Sequence, residues 1–130
     1  MTLLNLGKPL NADVTSSIAA LCGSKLRRVI DLDPKMNDST PLPPQVRALL
    51  DSVGFTARAW SETQVVLSLP EDPVLATVLV AEIAGLRGRA PRIVRYRWNE
   101  SGAREPIEVI SLHEVRKASR EQRKSAIRPA

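Results

Sequence analysis

The sequence predicts an α/β fold: a parallel sheet with helices on both faces, closed by a C-terminal antiparallel hairpin strand and a basic terminal helix. Three observations predict it. Short apolar, β-branched runs alternate with longer stretches of helical periodicity. Proline and glycine stand where helices should start and stop. The last two apolar runs are joined by a short polar loop holding Ser101-Gly102, with no helix between them. Strands that alternate with helices build parallel sheets, whereas a hairpin can only be antiparallel.

Leu3 to Leu6 reads as a buried strand. Asp13 is a predicted cap for a helix that carries Val14, Ile18, Leu21 and Cys22 on one face and stops at Gly23. Leu26 to Leu32 is the second strand, and the polar stretch Asp33 to Thr40 a loop. Pro43-Pro44 opens the second helix, with Val46, Leu49, Leu50 and Val53 inward and Gly54 at its end. Gln64 to Leu69 is the third strand. Asp72 then caps, and Pro73 begins, a helix over Val74 to Leu86. That helix is apolar nearly all round, which predicts cover on more than one side and hence a homodimer packed partly through it. Arg92 to Trp98 and Ile107 to Leu112 are the hairpin strands, joined by Asn99 to Arg104, and a charged helix runs from Glu114 to about Lys124. The domain reading is a ligand-binding unit over residues 1–112 and a basic helix or tail over 113–130.

Composition narrows the function classes. The chain has 130 residues, 43% of them apolar, enough for one globular core. Only Phe55, Trp60, Tyr96 and Trp98 are aromatic, so that core is aliphatic. No apolar run reaches the roughly 18 residues that span a bilayer, and no basic segment precedes an apolar one as in a signal peptide. With one cysteine no internal disulfide can form, which suits a cytoplasmic location. One cysteine and one histidine cannot build a zinc site, and no cofactor motif is present.

The net charge of +5 is unevenly spread. From His113 onward, six Arg or Lys stand against two Glu, and Arg87, Arg89, Arg92, Arg95 and Arg97 follow one another with no acid between them. An anionic partner is expected: nucleic acid, a nucleotide or an acidic protein. A basic helix that merely keeps the chain soluble is the plain alternative.

Open parallel sheets bind ligands beyond the carboxyl ends of their strands, where strand order reverses. Three predicted turns meet that condition. The first holds Asn5, Gly7, Lys8 and Pro9; the second Pro70, Glu71 and Asp72; the third Arg97, Trp98 and Asn99. Gly7 permits close backbone approach, Lys8 offers phosphate a point charge, and Asn5 carries both a donor and an acceptor. Arg97, at a strand end, is free to meet a ligand, while Arg95 pairs with Glu108 across the hairpin. The same turn is equally readable as plain architecture, with glycine for the bend and asparagine capping a backbone group. It is no P-loop, because the upstream glycine and the following Ser or Thr are missing. His113, Cys22, Asp31 and Asp33 read as solvent-facing or core residues rather than catalysts.

The opening Leu3-Leu4-Asn5-Leu6-Gly7-Lys8-Pro9-Leu10 resembles that of a small CRISPR-associated accessory family found beside type III loci. Arg28-Val29-Ile30-Asp31 and Pro44-Gln45-Val46-Arg47-Ala48-Leu49 are similar to its second strand and second helix. Ala81-Glu82-Ile83-Ala84-Gly85 and Glu108-Val109-Ile110-Ser111-Leu112 to Val115-Arg116 resemble its third helix and its ending. The resemblance implies a Rossmann-like, CARF-like domain that dimerises and binds a cyclic oligoadenylate, most often cyclic tetra-adenylate. Such a protein either holds the ring, damping type III CRISPR signalling, or cuts it as a ring nuclease without metal, leaving a 2′,3′-cyclic phosphate. The resemblance leads one to expect a histidine where this chain has Lys8, which keeps a charge for phosphate but lacks a proton shuttle. On it, Asn5, Gly7, Lys8, Pro9, Pro70, Glu71 and Arg97 form the ligand site, and sequestration is favoured over cleavage for want of an evident general base. An RNA- or DNA-binding role for the basic tail is the remaining alternative.

Overall fold

A computed structural model describes residues 1–127; the last three residues of the expected basic tail, Arg128 among them, lie outside the described residues. The elements run β1 (Thr2–Asn5), α1 (Ala12–Cys22), β2 (Arg28–Asp31), α2 (Leu42–Asp51), α3 (Ala57–Glu62), β3 (Val65–Ser68), α4 (Pro73–Arg87), β4 (Arg92–Trp98), β5 (Arg104–Ser111) and α5 (Leu112–Ile127). They form one five-stranded sheet in the order β2-β1-β3-β4-β5. All pairings are parallel except β4 with β5. The chain is thus α/β, with the expected antiparallel hairpin at its end.

Alternation along the central strands divides the core in two. Leu4, Leu6, Val65 and Leu67 face α2, α3 and α4, where they meet Val46, Leu50, Trp60, Leu75, Leu79 and Ile83. Leu3 and Val66 face the other way, joining Val94 against Ile18 of α1. Helices therefore cover both faces. The crossover from β1 steps to β2, while that from β3 steps the opposite way to β4, so strand order reverses between the carboxyl ends of β1 and β3.

Several boundaries move for identifiable reasons. Asn11, not Asp13, caps α1: its side chain accepts from the Val14 amide at 2.9 Å, which leaves Asp13 in the first turn. Leu21, expected inward, is 43% exposed, because α1 touches the sheet chiefly through Ile18. A short helix, α3, was absent from the sequence reading. Thr56 caps it and Trp60 anchors it, edge-on to Phe55 with ring centroids 5.0 Å apart. β5 begins at Arg104, inside the expected loop, and Pro106 is tolerated because β5 is an edge strand. The apolar helix α4 finds its cover within the chain, from the sheet, α2 and α3, leaving Val74 and Leu86 outermost. Among the described residues no helix is long and apolar enough to cross a membrane.

Candidate functional site

At the point of reversal, Asn5 closes β1 opposite Asp31 of β2 on one side and Ser68 of β3 on the other. Asn5 is fully buried. Its Nδ2 donates to the Lys8 carbonyl at 3.0 Å and to Asp31 Oδ1 at 2.8 Å, and its Oδ1 accepts from the Gly7 amide at 3.1 Å. Both amide hydrogens are thus committed inside the protein, so Asn5 builds the turn rather than reaching out from it. Gly7 brings this turn against the one after β3. A Cβ on Gly7 would stand 3.0 Å from the Leu69 carbonyl oxygen and 3.6 Å from the Arg104 guanidinium. Close approach, not a positive φ, is what requires glycine here.

The hairpin supplies the opposing wall. β4 pairs with β3 only as far as Ile93 and then runs on to Trp98, beyond the carboxyl edge of the parallel strands. Asn99 shapes the tip, its Oδ1 accepting from Ser101 N, Ala103 N and Ser101 Oγ, with Gly102 at a φ of 78°. That turn sets Trp98 directly across from Arg104. Inside the hairpin, Tyr96 Oη meets the buried Ser68 Oγ at 2.7 Å, and the Arg104 guanidinium lies 4.1 Å over the Tyr96 ring. Burial pushes the Tyr96 phenol up, against the opposing pull of Ser68 and Arg104.

Between turn and hairpin lies a cleft of about 260 Å³, lined by Lys8, Pro9, Asn11, Glu71, Trp98 and Arg104 together with Leu10, Val14, Gly102 and Ala103. Trp98 is 67% exposed there. Lys8 Nζ stands 3.3 Å from Glu71, both side chains largely in solvent, a pair worth at most about 1 kcal/mol and readily exchanged for another anion. A second recess, of about 380 Å³, opens on the β2 side of the same turn, between Asn5, Gly7, Pro9, Asp31, Leu32, Asp33 and Pro34. It is acidic where the first is basic. Among the described residues no three His, Cys, Asp or Glu gather as a metal site would need.

Of the residues expected to form the site, Lys8, Pro9 and Glu71 line the basic cleft, while Asn5 and Gly7 stand behind the turn that makes it. Pro70 is buried and borders neither recess. Arg97 is not free. It turns to the opposite side of the hairpin and pairs with Glu105 at 3.4 Å, as Arg95 pairs with Glu108 at 3.3 Å. Strand alternation sends its neighbour Trp98 into the cleft instead, and the guanidinium there belongs to Arg104. Asp72 is likewise occupied, capping α4 through the amides of Val74 and Leu75. Cys22 packs into the α1 side of the core, where burial raises its thiol pKa.

No family model matches the chain, and no match was found among curated proteins or among solved structures. The chemistry of the cleft has to be read from its own groups. An ammonium and a guanidinium suit phosphate or carboxylate oxygens, and an exposed indole suits a flat aromatic ring. Nucleotides and aromatic carboxylates both combine such groups.

Proposed function

We propose that the chain binds cyclic oligoadenylate, with cyclic tetra-adenylate as the ring, in the cleft between the Lys8 turn and the hairpin, and holds it rather than cutting it. The observation that carries this reading is Trp98, an exposed indole set across from Arg104 in the same cleft as Lys8. Adenine stacks on the indole, and the neighbouring phosphates meet Arg104 and Lys8. The strand order and its reversal between β1 and β3 support a Rossmann-like, CARF-like reading of the fold. A homodimer remains part of the proposal on the ligand's account. A ring with two-fold symmetry is matched by two copies, each giving one basic cleft.

Holding is favoured over cleavage by what the cleft lacks. Cutting requires a ribose 2′-hydroxyl aligned with its phosphate, a group to take its proton and donors for the developing charge. Asp72 is engaged by the helix it caps, the sole histidine, His113, sits on α5 at the opposite edge of the sheet, and a phosphate on Lys8 leaves solvent-exposed Glu71 as the one carboxylate lining the cleft. The test is to incubate excess protein, in EDTA, with radiolabelled cyclic tetra-adenylate and divide the sample between a native and a denaturing gel. A shifted native band with an intact ring is expected. A shift with linear product would make the protein a metal-independent ring nuclease, and no shift would overturn the ligand.

A further inference from the structure

The edge of the sheet opposite the cleft is the more strongly charged. A recess of about 300 Å³ lies there against the start of β3 and β4 and the end of β5, bordered by Arg87, Arg89, Arg92, His113 and Glu114. It continues into a second, of about 390 Å³, bordered by Arg89, His113, Arg116, Lys117, Arg120, Glu121 and Lys124. Arg89 and His113 belong to both, so the two form one track from the sheet edge along α5.

Three features of this track ask for an anionic partner. First, none of Arg89, Arg92, Arg116, Lys117, Arg120 and Lys124 has a carboxylate within salt-bridge distance among the described residues, although elsewhere Arg47, Arg58, Arg95 and Arg97 are each paired. Second, Arg87, nine-tenths buried beneath the track, donates to the Trp60 and Thr63 carbonyls and leaves its Nε without a partner. Desolvation, and then the charges of Arg89 and Arg92, pull its pKa down. Third, α5 exposes every residue from His113 to Ile127, and the spacing of His113, Arg116, Lys117, Arg120 and Lys124 places them on one face.

We propose that this track binds the phosphodiester backbone of a nucleic acid duplex, independently of the ligand in the cleft. No apolar side chain borders the α5 part of the track, so it lacks the apolar centre that a protein interface is built around. No Phe, Tyr or Trp borders either part, so a single strand finds only the His113 imidazole to stack on. What remains is charge laid out in a line. The 16 residues of α5 extend about 24 Å, which passes roughly seven phosphates of one strand. Contacts of this kind carry no sequence preference.

The experiment is fluorescence anisotropy of a labelled 20-base-pair duplex of mixed sequence against the full chain, from about 50 to 300 mM salt. The expected result is binding at low salt whose logarithm falls with log salt at a slope of about −3 to −4, as for some four phosphate contacts. Arg116→Gln/Lys117→Gln/Arg120→Gln, all on the exposed face of α5, should lose at least tenfold in affinity and flatten the slope by about 2 to 3, with helix content checked by circular dichroism. Trp98→Ala should bind the duplex as the parent does. Absence of binding at about 50 mM salt, or full affinity in the triple variant, would overturn the proposal. So would a loss confined to Trp98→Ala, which would move the duplex to the cleft. An acidic peptide of equal charge binding as tightly as the duplex would overturn the choice of partner.

Discussion

Glu71 occupies the position where a phosphate would bind Lys8, and two consequences follow at the scale of single residues. A carboxylate 3.3 Å from the ammonium competes with any anionic ligand. Glu71→Gln should therefore tighten cyclic tetra-adenylate binding several-fold and leave the unfolding midpoint in urea unchanged, because an exposed pair contributes so little. The second concerns Tyr96, whose phenol is held neutral by burial. Its pKa in the folded chain lies above the usual value of about 10, so the stability it contributes is complete below that pH and is lost as the pH rises through it. Tyr96→Phe should cost about 1 kcal/mol near neutral pH by leaving the buried Ser68 hydroxyl unpaired. Urea titrations of both proteins should show that gap closing above about pH 10; a gap constant with pH would contradict the assignment.

At the scale of elements, the turn after β1 is the best-specified part of the site. Asn5 ties together β1, β2 and the Lys8 backbone. Asn5→Ala would take their partner from the half-buried Gly7 amide, the Lys8 carbonyl and an Asp31 carboxylate oxygen, and should lower the free energy of unfolding by about 1 to 3 kcal/mol. Urea unfolding measures it directly. Residue types made this turn legible in the sequence, for Asn5, Gly7 and Pro9 at every second position after an apolar run leave few other structures. They did not reveal which way the Asn5 amide points, since an amide can close its own turn or greet a ligand with the same atoms. The hairpin was legible as two strands but not in its ends. The start of β5 falls in the polar stretch that reads as a loop, and with it the pairing that sets Arg104 beside Trp98. Alternation alone already placed Arg97 and Trp98 on opposite faces, but only packing against α1 decides which face looks into the cleft. α3 escaped notice because six residues are too few to establish a period.

At the scale of the whole molecule, the strand order explains why chemistry and charge separate. The reversal between β1 and β3 opens the cleft at the carboxyl edge, while the chain returns through Arg87 to Arg92 and into α5 at the amino edge. The alternation of elements announced the parallel sheet. The cover of α4 was not announced, because an all-round apolar helix looks the same whether its neighbours belong to its own chain or to another. The stoichiometry of ring binding reports on dimer formation. The decisive measurement is calorimetric titration of cyclic tetra-adenylate into the parent protein and into Trp98→Ala. The account predicts one ring for every two chains, and a loss in the variant of about 5- to 150-fold for each of the two stacked bases. No heat of binding in the parent, or equal affinity in the variant, would contradict it.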